Sequence, residues 1–464
     1  MSEIAVGIDI GTTYTKGAVR TEGGNVVAVY RKPTLKIKTD PSLHLLSASA
    51  WWSCVKDVLR GLLFVHRPRL MNTASICVSA IAPTLTVFDA AHPDRAYAIL
   101  YSSLEWAKDG ERAKDGSSPS QNIPELIKRR LAILRSTARK ERFISPCITD
   151  LVGYANWRLT GKLTMNGLSF ANMGMTQEAG GCEMFGVSNN TTPQLVSVGE
   201  KIGETTPGSA EELGIESGIS VCGGCPDTVS SIVGAGLARR SERMLYLGTF
   251  GSILELDEDV DTLLETASWS RFPYRWLLSI PGMGPEIESL SRRWFGSSAA
   301  SDRLRVFDQT AEKAPPGAGG TLFLVPRWKN GMTPIGSYRL LPDRSGETGD
   351  SSRQARAVLE GVAYAALSLG IHQSNPIIAC GGGARSHIWL DVISTVLGCN
   401  VKARHMAWEA TGAADIAARM AWKPTSAKRP WYESQAQTEI PVVREVINDN
   451  YNRIMEVYRE HDWL

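Results

Sequence analysis

The chain has 464 residues, 43% hydrophobic and 21% charged, with 50 basic against 48 acidic side chains and a formal charge of +2. That length suits two domains of roughly 200–250 residues, each able to bury a full core. The near-neutral balance gives no reason to expect a nucleic-acid or membrane-surface partner, and no apolar run approaches a membrane span. Asp9 interrupts the only candidate for an N-terminal apolar leader, so the expected location is the cytoplasm. The eight cysteines fall in apolar contexts and read as small buried hydrophobes of a reducing compartment. Cys222 and Cys225 have CxxC spacing, but no second Cys or His pair lies nearby to complete a zinc site.

Ala5–Lys16 reads AVGIDIGTTYTK. The β-branched Val6, Ile8 and Ile10 predict a buried strand. Gly11 permits a tight reversal, leaving the backbone N–H groups and hydroxyls of Thr12 and Thr13 to face an anion. Lys16 stands just inside the returning strand. Asp9, at the strand end, is placed to hold a divalent cation directly or through water, because Mg²⁺ prefers carboxylate, water and phosphate oxygens. No GxxxxGK[ST] loop occurs. An ordinary hairpin with an aspartate in its first strand is the alternative.

Further along, Glu22–Asn25 turns into a third strand, Val26–Tyr30, and Leu43–Phe64 has one apolar helical face. Strands are predicted at Ser75–Ile81 and Leu85–Phe88 around the loop Ala82-Pro83-Thr84, and a helix at Ile148–Leu159 stopped by Thr160-Gly161. A short strand, Ser220–Gly223, leads through Gly224, Cys225 and Pro226 to Asp227 and a small-residue helix, Thr228–Leu237. A carboxylate at a helix N-terminus is favoured in its ionised form and suits a base that accepts a hydroxyl proton late; a plain N-cap is the alternative. The first domain is expected to close near Arg239-Arg240, giving domains 1–240 and 241–464.

Met244–Leu256 (MLYLGTFGSILEL) repeats the opening pattern around Gly248-Thr249, without an acidic residue before the glycine. A second phosphate turn is expected there, with the metal at the first copy alone. A helix is predicted at Ala355–Leu369 and a strand at Ile377–Ala379. Gly381, Gly382, Gly383 and Ala384 then open the helix Ile388–Leu397, and bare backbone of this kind can take a flat base such as adenine. A close-packing turn is the alternative. An amphipathic helix is expected near Val443–Tyr458.

In order along nearly the whole chain, these pieces resemble the FGGY carbohydrate kinases of the actin-like ATPase superfamily, xylulokinase-like members above all. The matching segments are Asp9–Lys16, Trp157–Gly161, Gly223–Asp227 with Gly234–Gly236, Gly248-Thr249, Phe323–Pro326, Arg356–Gly361 and Gly381–Ser386. The resemblance implies an α/β fold of two ribonuclease-H-like domains flanking a nucleotide cleft, with ATP and Mg²⁺ as cofactors. It makes Asp227 the catalytic base toward a small sugar or polyol. It sets Asp9 beside the metal, and Gly11, Thr12, Thr13, Lys16, Gly248 and Thr249 beside phosphates. Gly381, Gly382, Gly383 and Ala384 would line the adenosine. The sugar-reading segments depart from the family: Ala82-Pro83-Thr84 aligns with a Met-His-Gly loop, and Tyr101, Ser103 and Glu105 fall in a Trp-x-Asp-x-Arg segment. Ser and Glu still hydrogen-bond hydroxyls, so Ala82, Pro83, Tyr101, Ser103 and Glu105 join Asp227 as expected substrate residues. The missing arginine favours a neutral sugar over a carboxylate.

The leading expectation is ATP-dependent phosphorylation of a pentulose such as xylulose, with gluconate, glycerol or another polyol as alternative substrates. A rival of another class is a nucleotide-switched actin-like ATPase, or a sugar-binding protein without catalysis. The sequence is compatible with a homodimer and does not fix the oligomeric state.

Overall fold

Strand Ile4–Ile10 is buried along its full length, which is why its sequence is a nearly unbroken apolar run rather than an alternation. In the computed structural model, which describes residues 3–40, 45–70, 72–100, 123–173, 184–187, 191–265, 274–296, 300–329, 333–347, 349–371, 377–403, 408–422, 432–433 and 441–461, it is the centre of a seven-stranded sheet. On one side it pairs antiparallel with Tyr14–Thr21, which pairs antiparallel with Val26–Pro33. On the other it runs parallel to Thr73–Ala80, and that strand to Ser220–Cys222 and Cys225–Pro226. Lys201–Glu204 closes the edge, antiparallel to Ser220–Cys222.

A second sheet repeats this plan. Arg243–Leu247, Gly251–Leu256 and Tyr274–Ile280 form the antiparallel meander, and Ile377–Cys380 and Val401–Ala403 are the two parallel strands beyond it. Tyr432–Glu433 is again an antiparallel edge. Three antiparallel strands followed by two parallel ones is the ribonuclease-H-like order, here built twice. The two Gly-Thr turns of the sequence occupy equivalent places in the two sheets.

The chain divides into two compact units: Met1–Ala238, Glu258–Pro273 and Met406–Lys428 form one, and Arg239–Asp257, Tyr274–His405 and Arg429–Leu464 the other. A linear cut at residue 240 puts the helix Trp408–Ala421 in the second half, whereas its contacts put it in the first unit. The reason is steric. A Cβ on Gly7 would stand 2.1 Å from the Ala410 carbonyl oxygen and the Ala414 nitrogen, so the helix lies directly on the central strand. Ser75 Oγ donates to the Ala417 carbonyl at 2.8 Å, and Arg20 pairs with Asp415. The same helix crosses helix Asp227–Ala235 with backbone against backbone: a Cβ on Gly412 would fall 1.7 Å from the Ser230 carbonyl oxygen, and one on Gly234 2.0 Å from that of Trp408. Gly412→Ala is therefore expected to destabilise the protein by about 2–4 kcal/mol, read as a lowered urea midpoint; an unchanged midpoint would contradict this crossing.

Two elements differ from the sequence reading. Ile148–Asp150 belong to a strand, Pro146–Asp150, which pairs with Leu85–Asp89; the helix begins only at Leu151, with Asp150 as its cap accepting from Gly153 N–H at 2.7 Å. Gly161, at φ 72°, ends it as expected. Leu45–Ser47 is likewise a strand, paired with Tyr97–Ile99, and the helix following it is Ala48–Leu70. Among the described residues, no helix is long and apolar enough to cross a membrane.

Candidate active site

Pairing across the first sheet sets Lys16, Asp9, Ser79 and Cys225 in one row, and residues directly opposite share a face. The side chains bear this out. Asp9 is 1% exposed. Its Oδ1 accepts from Ser79 Oγ at 3.0 Å, and its Oδ2 lies 3.4 Å from Lys16 Nζ. Lys16 Nζ is 2.7 Å from Glu409 Oε2 on the overlying helix.

Asp227 leaves the sheet one residue after the Cys225–Pro226 pairing and is the first helical residue. Pro226 occupies the cap position with no side-chain bond, so Asp227 is not the N-cap. Its carboxylate accepts from the adjoining Thr228 N–H at 2.8 Å.

Electrostatics tie these groups together. Burial, then the negative charges of Asp9 and Glu409, push Asp227 up to about 8. By accessible surface Asp227 is half-buried. Burial also raises Asp9 to about 6, against the attraction of Lys16. Burial opposes the Lys16 charge, but Asp9 and Glu409 outweigh it and hold the ammonium above its ordinary range. Three carboxylates thus face one ammonium, a surplus of negative charge that fits a divalent cation. No group of three or more His, Cys, Asp or Glu among the described residues forms a ready-made cage.

The Asp227 shift has a consequence for stability. Folding raises it from 3.8, so between about pH 4 and about pH 8 the folded state binds more protons than the unfolded one, and stability falls as pH rises through that window. Asp227→Asn removes the effect. The nucleotide-free variant should melt a few degrees above wild type at pH 8, with the difference vanishing near pH 4; equal melting at pH 8 would contradict the shift.

The turn at Gly11, Thr12 and Thr13 is held by its carbonyls. Those of Gly11 and Thr13 accept from Thr34, at 2.8 Å from Oγ1 and 3.0 Å from N–H. No protein acceptor meets the N–H of Thr12 or Thr13 among the described residues, which leaves these amides available to an anion. Ile81 N–H donates to the Ile10 carbonyl at 3.1 Å, so half-buried Ala82 and Pro83, joined by a cis peptide, follow on beside this turn. Tyr101, Ser103 and Glu105 lie outside the described residues.

In the second unit, Gly248, Thr249 and the Gly381–Gly383 segment gather at one end of the sheet. Gly381 has φ 93°, and a Cβ there would stand 2.5 Å from the Leu247 carbonyl oxygen. The helix Met283–Phe295 packs against the same turn, Gly284 N–H donating to the Thr249 carbonyl at 3.3 Å. Thr249 and Gly382 are exposed, whereas Ala384 is 1% exposed and turned into the core. Ser79 and Glu409 were not found from sequence. The run of alanines around Gly412 signals close helix packing, but nothing in it marks Glu409 as facing Lys16.

Residues 4–119 match the N-terminal domain of the FGGY family of carbohydrate kinases. That match covers the opening quarter of the chain. The chain is 23% identical to a xylulose kinase of Staphylococcus epidermidis over 494 aligned positions, spanning 100% of this chain and 96% of that one. Its fold is that of a xylulose kinase from Rhodospirillum rubrum (TM-score 0.73, 21% identity, 99% and 98% of the two chains). It is equally that of a gluconate kinase from Lactobacillus acidophilus (TM-score 0.73, 19% identity, 99% and 98%). The expected α/β architecture of two ribonuclease-H-like domains therefore holds.

Proposed function

We propose that this chain is an ATP-dependent kinase that phosphorylates a hydroxyl of a small sugar or polyol, with Mg²⁺-ATP as donor and a xylulose-like pentulose as the favoured acceptor. The observation that carries this reading is the convergence of Asp9, Lys16 and Asp227 at one end of the central strands of the first sheet. Asp227 acts as general base. Its raised basicity suits it to take a hydroxyl proton near neutral pH better than an exposed carboxylate would. Lys16 keeps its positive charge throughout that range and, with the free amides of Thr12 and Thr13, offers fixed partners to phosphate oxygens. Gly248 and Thr249 form the second phosphate turn. Gly381, Gly382 and Gly383 offer backbone to the adenosine; buried Ala384 adds backbone alone. Asp9, with Asp227 nearby, would hold Mg²⁺, which when bound neutralises charge on the phosphates.

The xylulose-kinase relative supports a pentulose. The equal likeness to a gluconate kinase supports an aldonate as second reading, and Glu rather than Arg at position 105 argues for the neutral sugar. The seven described cysteines are buried and outside any disulfide, which supports a reducing, cytoplasmic setting. The test is acceptor-dependent ADP release across pentuloses, hexuloses, aldonates, glycerol and cyclitols. A pentulose should give the highest kcat/KM. A better aldonate would shift the reading to gluconate, and no acceptor-dependent release would overturn the kinase.

A further inference from the structure

The contacts of Lys16 are unequal. Its Nζ makes a charge-assisted hydrogen bond of 2.7 Å to Glu409 Oε2, yet stops 3.4 Å short of Asp9 Oδ2, beyond a good N–H···O distance. This is not imposed by the sheet. Asp9 and Lys16 are direct cross-strand partners, close enough for a flexible lysine stem to bring its ammonium onto the carboxylate. Glu409 draws it off. Glu409 has little freedom to follow, because its helix is pinned by backbone contact at Gly7 and Gly412 and by the Ser75 bond. Oδ1 of Asp9 is taken by Ser79, so Oδ2 is the oxygen on which Lys16 and a cation would compete. Side-chain exposures of 20% for Lys16 and 13% for Glu409 leave this pair only partly screened.

We propose that Glu409 is a positioning residue that holds the Lys16 ammonium off Asp9 and so leaves Asp9 Oδ2 open to a divalent cation. This rests on the reading of Asp9 as the cation residue. Without Glu409, Lys16 closes onto Asp9 and neutralises it.

The test is Mn²⁺ binding to the full chain with a non-hydrolysable ATP analogue, followed by the electron paramagnetic resonance signal of free Mn²⁺. Asp9→Asn should lose the site; if it binds as wild type does, the reading of Asp9 fails and the proposal with it. Given an Asp9-dependent site, Glu409→Gln should weaken Mn²⁺ by about ten-fold, but by less than about two-fold in a Lys16→Met background. Glu409→Asp, which keeps the charge and shortens the reach, should also weaken it. Unchanged affinity in Glu409→Gln, or the same loss with and without Lys16, would overturn the proposal, the latter because simple removal of negative charge acts regardless of Lys16.

Discussion

Asp227→Ala is expected to lower acceptor-dependent ATP turnover by about 10²–10⁴, while ATP-analogue affinity stays within a few-fold. The residue stands at the start of its helix, where burial and the charges of Asp9 and Glu409 outweigh the attraction of Lys16 and raise its basicity, as a general base would require. Because Pro226, not Asp227, caps the helix, the substitution removes one side-chain bond, to Thr228 N–H, and leaves the packing at Gly234 intact. Circular dichroism and melting should therefore match wild type or exceed it at pH 8. Turnover near the wild-type rate would reduce Asp227 to a local brace for the first helical turn.

Asp9→Asn should have the second-largest effect. It keeps shape and the capacity to bond Ser79 but removes the charge at the centre of the row. Lys16 retains Glu409 as partner, so the fold should survive. Mg²⁺-dependent turnover should drop by about a hundred-fold or more, and raising Mg²⁺ should recover part of it. If melting collapses while activity per folded molecule is unchanged, Asp9 is a structural aspartate buried at a strand end.

Both hairpins could be read from the sequence because each joins apolar strands through a Gly-Thr turn, a local pattern that needs no partner to declare itself. The sheet order that follows from them, duplicated around Ile4–Ile10 and Arg243–Leu247, was implied by resemblance and is set out by the pairing. Local pattern failed where two periods fit one short run. Ile148–Asp150 satisfies a strand and a first helical turn equally, and pairing with Leu85–Asp89 decides it. Glu409 was invisible for another reason: its partner Lys16 lies almost a whole chain length away, and only the approach allowed by Gly7 and Gly412 brings them together. That Pro226 rather than Asp227 takes the cap position is a backbone detail that Pro226-Asp227 does not reveal as text.

The most direct measurement is ³¹P NMR of the full chain with ATP, Mg²⁺ and xylulose, run beside the Asp227→Asn variant. The account predicts a new phosphomonoester resonance growing in step with ADP in the wild type, absent from the variant on the same timescale. Inorganic phosphate as the sole product, or a phosphomonoester formed equally well without Asp227, would contradict it.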